Sequence, residues 1–318
     1  MQQADISIIV PVYNESENLR TLYSRLLEVV KSLQVTYQII FIDDCSGDDS
    51  MAKILKISRE NPNVYFLSLT RNFGHQVAVS AGLNYCNAEA VVIIDADLQD
   101  PPEIILDLYR EHQKGFDVVY AKRAKRKGES LLKKITAKLY YRLLKRLVTF
   151  KIPLDAGDFR LISKKVVDAL NQMPEHNKFL RGQIAWLGFK ESYVVFDRDT
   201  RKHGKSGYSF GKMMRLAFDG ITGFSDKPLL FVSRLGFIIS LFSFLIIVYA
   251  AFSHFVLEKT ITGWTSLIIC VAFVGGIQLL SIGVIGEYIS RINSNVQKRP
   301  LYIVNSTNIK SEANSNES

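Results

Sequence analysis

The chain has 318 residues, 47% hydrophobic and 22% charged, with 40 Lys/Arg against 31 Asp/Glu and a formal net charge of +9. That length buries a sizeable core in one or two domains, and the apolar share excludes a disordered chain. Three cysteines (Cys45, Cys86 and Cys270) fit no disulfide framework or metal spacing, which excludes a small disulfide-stapled scaffold.

Strand and helix alternate along the first 121 residues. An apolar run at 6–12 reads as a strand, and Asn14-Glu15-Ser16-Glu17 as the cap of a helix over 15–33 with Leu19, Leu22, Leu26, Val29 and Val30 on one stripe. A strand at 37–42, a helix at 49–60, a strand at 64–69 and a helix at 75–87 come next. The run Val91-Val92-Ile93-Ile94 reads as a strand buried on both faces. It stops at Asp95 and Asp97, and Pro101-Pro102 opens a helix over 102–114 before a strand at 117–121. This alternation predicts an α/β domain with a mostly parallel sheet and helices on both faces.

Charge then gathers in one place. Residues 121–151 hold twelve Lys/Arg and one Glu, while Leu132, Ile135, Leu139, Leu143 and Leu147 recur at helical spacing. Residues 129–150 therefore read as a basic amphipathic helix lying in a membrane interface, with anionic lipid and not nucleic acid as its partner. Residues 211–228 read as a second, juxtamembrane amphipathic segment.

Two uncharged runs of 23 residues, 235–257 and 264–286, each exceed the roughly 20 residues that span a bilayer as a helix. They define two spans, over about 229–257 and 264–289. Lys212, Arg215, Lys227 and Arg234 precede the first and Arg291, Lys298 and Arg299 follow the second, whereas Glu258 offsets the single Lys259 between them. Basic flanks stay inside, so a multi-pass plasma-membrane protein is expected with its 1–210 domain and both termini cytoplasmic. Ala272, Gly276 and Gly283 share a face of the second span, where small residues favour close packing with the first span or in a homo-oligomer. The tail, 291–318, ends in the polar stretch TNIKSEANSNES, expected to lack structure.

The chemistry concentrates where strands end in acids. Carboxylates at the C-terminal end of a parallel strand lie where α/β sheets bind ligands, and hard oxygens suit Mg²⁺ or Mn²⁺ bridging to nucleotide phosphates. Asp95 and Asp97 are the candidate pair. Pro11-Val12-Tyr13-Asn14-Glu15 ends the first strand, with a ring to cover a base or ribose and a carboxylate for a ribose hydroxyl. Asp43-Asp44-Cys45-Ser46-Gly47-Asp48-Asp49 ends the second, with one aspartate to bind a base N–H and others to cap the next helix. His75, at a loop–helix junction, reads as a cap or packing residue.

PVYNE at 11–15, DDCSGDD at 43–49, RNFGHQ at 71–76 and DADLQDPPE at 95–103, in this order, resemble the membrane-associated, inverting family-2 glycosyltransferases of the GT-A fold. The resemblance covers 5–210. Within the family the chain is most similar to polyprenyl-phosphate glycosyltransferases, both bactoprenol glucosyltransferases and dolichyl-phosphate mannose synthases. It implies a nucleoside pocket of Pro11, Tyr13, Glu15, Ile42 and Asp44. It implies Asp95 and Asp97 as metal ligands, with Gln99 near the donor sugar and Arg123 near the diphosphate. Arg201 in RKHGKSGYS resembles the first residue of a mobile closing loop, Arg-x-x-Gly-x-Ser-Lys. Residue 207 is Gly where the mannose synthases have Lys, and Lys205 is the candidate to replace that charge.

The segment Asp155–Leu161 falls where the family places its acceptor, which implies Asp158 nearest the chemistry and Arg160, with Arg123, on the acceptor phosphate. A phosphate monoester has its second pKa at about 6 and is already a nucleophilic dianion at pH 7. Asp158 is thus expected to orient the acceptor more than to act as a base. The implied reaction moves glucose from UDP-glucose to undecaprenyl phosphate with inversion; mannose transfer from GDP-mannose is the alternative, and a non-catalytic nucleotide-sugar module another. Processive polysaccharide synthases carry Gln-x-x-Arg-Trp, and neither Trp186 nor Trp264 is preceded by Arg.

Overall fold

A computed structural model describes residues 3–123, 156–196, 225, 227–255 and 263–309. Both amphipathic segments, Arg201 and Lys205 lie outside the described residues, apart from the end of the 211–228 stretch. Eight strands form one sheet, in the order β7-β5-β6-β4-β1-β2-β3-β8. The strands are β1 (Ala4–Val12), β2 (Tyr37–Asp43), β3 (Val64–Leu69), β4 (Ala88–Ile93), β5 (Val118–Arg123), β6 (Ala156–Ser163), β7 (Glu191–Phe196) and β8 (Val304–Thr307). The helices are α1 (Ser16–Leu33), α2 (Ser50–Glu60), α3 (His75–Tyr85), α4 (Ile105–Gln113), α5 (Lys164–Asn171), α6 (Leu180–Leu187), α7 (Lys227–Phe255) and α8 (Trp264–Val296).

Strand alternation splits the core into two layers. Ile6, Ile8, Val10, Ile39 and Phe41 meet the apolar stripes of α1, α2 and α4 on one face. Ile9, Ile40, Ile42, Val91 and Ile93 meet α3, α5 and α6 on the other. Helix α3 approaches most closely at Gly82, where an added Cβ would stand 2.7 Å from Ile9 Cγ2 and 2.8 Å from Ile42 Cδ1. A side chain there would overpack the layer.

The central strands β4, β1, β2 and β3 are parallel, as expected, but β6 enters antiparallel between β4 and β5. Ile93 therefore pairs with Arg160, and Arg160 in turn with Tyr120. This reversal carries the start of β6, with Asp158, to the carboxyl end of β4. The elements α5, α6 and β7 were not foreseen from the sequence.

The tail departs from expectation. Beyond α8 the chain returns to the sheet, and β8 pairs antiparallel with β3. The Asn308 side chain accepts from Phe66 N at 2.8 Å and donates to Val64 O at 3.0 Å, and Ile309 is buried. Thr307 and Asn308 open a stretch that is polar by composition, yet an open sheet edge supplies partners that no local pattern reveals. Residues 310–318 lie outside the described residues.

Helices α7 and α8, at 29 and 33 residues, reach about 43 and 50 Å at 1.5 Å per residue. They expose Phe237, Phe242, Leu245, Phe273 and Leu279. Among the described residues, Phe273–Val296 is long and apolar enough to cross a membrane.

Candidate active site

Three successive loops at one sheet edge adopt a costly backbone. Asn14 after β1, Cys45 after β2 and Leu98 after β4 all have positive φ, at 55°, 60° and 56°. Non-glycine residues in this region cost of order 1 kcal/mol each, and such strain gathers where structure serves a site. The first two loops lock together. Asn14 Oδ1 accepts from Gly47 N at 2.7 Å, Asn14 N donates to Ser46 Oγ at 3.0 Å, and Asp48 accepts from Ser16 N at 3.1 Å and Ser50 N at 3.0 Å. Asp48, not Asp49, thus supplies the expected cap of α2. Tyr13 is left 51% exposed above this clasp, its ring free to cover a planar ligand. Glu15 accepts from Asn18 Nδ2 at 2.6 Å, so it also braces the first turn of α1.

Asp44 is already committed. Its Oδ1 accepts from Phe73 N at 2.7 Å and its Oδ2 from Gly74 N at 2.8 Å. Burial raises its pKa and these two bonds oppose the rise. Gly74 has φ +96°, a conformation that only glycine adopts readily, and it turns its N–H to this carboxylate. The clamp sets the start of α3 and hence His75, whose Nε2 lies 2.8 Å from Asp95 Oδ1. This corrects the reading of His75 as a cap or packing residue: it holds a carboxylate of the site, and its place in RNFGHQ was the available signal.

Asp95 is about one-third exposed, with a side-chain accessibility of 34%. Desolvation raises its pKa to about 6, aided by Asp158, Asp97 and Asp100 and opposed by His75. Three carboxylates close enough to act on Asp95 in this way mark a site of concentrated negative potential. Asp97 Oδ1 accepts from Gln99 N at 3.1 Å, closing the turn through Leu98. Gln99 and Asp100 are buried beneath it. Among the described residues no group of three or more His, Cys, Asp or Glu is arranged to hold a metal unaided. Two hard carboxylates at an open edge fit a divalent cation that takes its other ligands from a substrate phosphate.

The far wall is a buried ion triad. Arg181, at the start of α6, grips Asp158 with Nε to Oδ1 and NH2 to Oδ2, both at 2.8 Å. Arg160 NH2 reaches Asp158 Oδ1 at 3.1 Å, and its guanidinium lies 5.5 Å from the Tyr120 ring centroid. Burial would raise the Asp158 pKa, but the charge and hydrogen bonds of Arg181, with Arg160, outweigh it and hold the carboxyl well below the usual range. Such a carboxylate is a poor proton acceptor.

Three residues expected at the site are buried. Ile42 is fully buried against α3, because alternation along β2 turns its side chain to that layer. Pro11 is likewise buried. Arg160 is 1% exposed and turned to Asp158 and Tyr120, whereas Arg181, 34% exposed at its side chain, occupies the outer position. Arg181 was missed in the sequence because it lies 23 residues from its partner in an unremarkable helix. Arg123 ends β5, and its side chain lies outside the described residues.

An α/β sheet with acidic loops converging at the carboxyl ends of its parallel strands places a ligand site at that edge. The chain belongs to glycosyl transferase family 2, whose model matches residues 7–170. It is 43% identical over 306 residues to an uncharacterized glycosyltransferase of Synechocystis sp., covering 94% of both chains. It is 39% identical over 299 residues to the bactoprenol glucosyl transferase of Shigella phage SfII, covering 94% of this chain and 97% of that one. Among solved structures, glucosyl-3-phosphoglycerate synthase from Mycobacterium tuberculosis, in complex with Mn²⁺, UDP and phosphoglyceric acid, matches with a TM-score of 0.50. That match has 16% identity over 69% of this chain and 76% of that one, which shows a shared GT-A-like fold.

Proposed function

We propose that the protein transfers one glucose from UDP-glucose to a polyprenyl phosphate such as undecaprenyl phosphate, with inversion at the anomeric carbon. The observation that carries this reading is the open acidic edge facing the Arg181–Asp158 wall, in a chain alike over nearly its whole length to bactoprenol glucosyl transferases. Tyr13 covers the nucleoside and Glu15 accepts from a ribose hydroxyl. Asp44 sets the 73–75 turn and offers its remaining lone pairs to a base N–H. Gln99 supports the loop beside the donor sugar, and Arg123, Arg201 and Lys205 supply positive charge toward the diphosphate.

Asp95, oriented by His75, and Asp97 hold Mg²⁺ or Mn²⁺. A cation held there would supply positive charge against the charge that develops on the departing diphosphate. Arg181, fixed by Asp158, receives the acceptor phosphate at its outer face. A dianionic phosphate oxygen attacks the anomeric carbon opposite the leaving group, so an α-linked donor gives a β-linked product. No side chain has to remove a proton, which agrees with a carboxylate held as strongly ionised as Asp158.

Helices α7 and α8 form a membrane hairpin with the catalytic domain and both termini in the cytoplasm. The pairing of β8 with β3 supports an even number of crossings, since the chain leaves the sheet before α7 and rejoins it after α8. The domain plan is 1–210 catalytic, 211–228 juxtamembrane, 229–290 the two spans and 291–318 the tail. The subunits associate through the Gly276 and Gly283 face of α8. Purified protein is offered undecaprenyl phosphate with UDP-glucose, UDP-GlcNAc or GDP-mannose, with Mn²⁺ or EDTA, and the lipid product is read by mass spectrometry. A hexosyl phospholipid from UDP-glucose alone, abolished by EDTA, is the expected result; product from GDP-mannose alone, or none from any donor, overturns the assignment.

A further inference from the structure

We propose that the cleft between the α5–α6 connection and the end of α8 binds a phosphate ester, as carried by an anionic membrane lipid. The inference rests on the reading of α8 as a membrane span. The cleft has a volume of 360 Å³ and is lined by Glu175, His176, Lys178, Asn295, Lys298 and Arg299 among others. That volume is far above the roughly 30 Å³ of a water molecule and within the usual range of small-ligand sites.

Its walls are fixed by contacts that owe nothing to the catalytic edge. His176 N donates to Asn295 Oδ1 at 3.0 Å, tying the α5–α6 connection to α8. Asn84 Nδ2 donates to the Tyr302 hydroxyl at 3.0 Å on the side of α3. Lys298 has φ 47°, a left-handed turn that stops α8 and carries Lys298 and Arg299 to the mouth of the cleft.

The charge is one-sided. Lys178, Lys298 and Arg299 face a single acid, Glu175, and its Oε2 already accepts from Gln183 Nε2 at 3.2 Å. Lys178 is half-buried; desolvation lowers its pKa, and Glu175 opposes the fall. One of its three donors is given to Met173 O at 2.7 Å. An ammonium partly stripped of water beside an Arg fork suits a phosphate group better than a neutral ligand.

Location sets the cleft beside the reaction centre, since Leu180 of its lining precedes Arg181, and at the bilayer. Asn84 lies nine residues along α3 from His75, about 14 Å at the helical rise. Ser294 and Asn295 lie at the carboxyl end of the segment Phe273–Val296, which has the length and apolarity to cross a membrane. On that reading the cleft opens where hydrocarbon gives way to head groups. An anionic head group seated there would hold the catalytic domain at a fixed height over the bilayer.

The test titrates the full chain in detergent, by calorimetry, with short-chain phosphatidylglycerol, short-chain phosphatidylcholine and glycerol 1-phosphate. Phosphatidylglycerol is expected to bind saturably, about tenfold or more tighter than phosphatidylcholine. The double variant K298Q/R299Q loses at least that factor, the scale of one charge-assisted hydrogen bond, while its UDP binding is unchanged. Glycerol 1-phosphate binding as tightly as the lipid assigns the site to a soluble phosphate ester, and weaker binding assigns it to a head group; both support phosphate recognition. Phosphatidylglycerol binding no better than phosphatidylcholine, or an unaltered double variant, overturns the proposal. Labelling of Thr260→Cys from each side of sealed vesicles tests the span by itself. Thus a failed crossing and a failed anion site give different results.

Discussion

Two strands of the same sheet, β2 and β4, end in paired aspartates at the same edge, and their side chains do opposite work. After β2, Asp44 gives both oxygens to the backbone of residues 73 and 74 and is 3% exposed. After β4, Asp95 meets the ring of His75, and Asp97 closes a short turn while remaining half-buried. The difference teaches that an acid at a strand end is a candidate cation ligand only when the fold leaves part of its carboxylate uncommitted to backbone donors. Asp44 builds the turn that presents His75; Asp95 and Asp97 stay partly exposed at the edge.

The contrast is sharpest in turnover. Asp97→Ala is expected to cut kcat by about 10³-fold, some 4 kcal/mol of transition-state stabilisation, with the melting temperature nearly unchanged. A variant that melts far below wild type would place Asp97 with the structural acids instead.

Asp158→Asn tests the buried triad. Removing one partner of a buried ion pair costs about 3 kcal/mol or more, because Arg160 is left charged beneath the surface. Denaturant unfolding should show this loss at pH 7. Since the folded-state pKa of Asp158 is depressed, its contribution is fully present above the unfolded value of about 4 and fades only as pH falls through the lower folded value. Consequently kcat/KM for the acceptor should decline below about pH 6 with the phosphate's own titration, not with Asp158. A wild-type profile that tracks a carboxylate near pH 4 would restore Asp158 as a base.

Asp44→Asn should cost about 2 kcal/mol of stability, since the amide can accept at only one of the two positions that hold Phe73 N and Gly74 N. Its turnover should fall less than that of Asp97→Ala. Equal loss of turnover in a stable protein would break the comparison. Asn308→Ala, at the far edge, should cost about 1 kcal/mol by freeing Val64 O and Phe66 N, with UDP affinity unaltered.

Much of the fold was legible in the sequence. The strands through β5, with α1 to α4, fall within a few residues of their expected positions, because a period of two or 3.6 in apolar residues reports directly which face is buried. The acidic loops were legible too, since the order of four short motifs survives in one dimension. Arg181 was not, nor the role of His75, because those depend on side chains meeting across loops. The buried state of Ile42 and Arg160 followed from strand parity, which a motif does not carry.

By itself, then, the sequence determined the alternating α/β pattern, the acids at the carboxyl edge and two apolar runs long enough to cross a bilayer. All three are local properties, written in periodicity and composition. Only the tertiary structure decided that β6 runs antiparallel beside β4, that β8 closes the β3 edge, and which aspartates remain open to a ligand. Those outcomes depend on pairings between residues far apart in the chain, where a backbone hydrogen bond or a buried charge takes whatever partner the assembled sheet supplies.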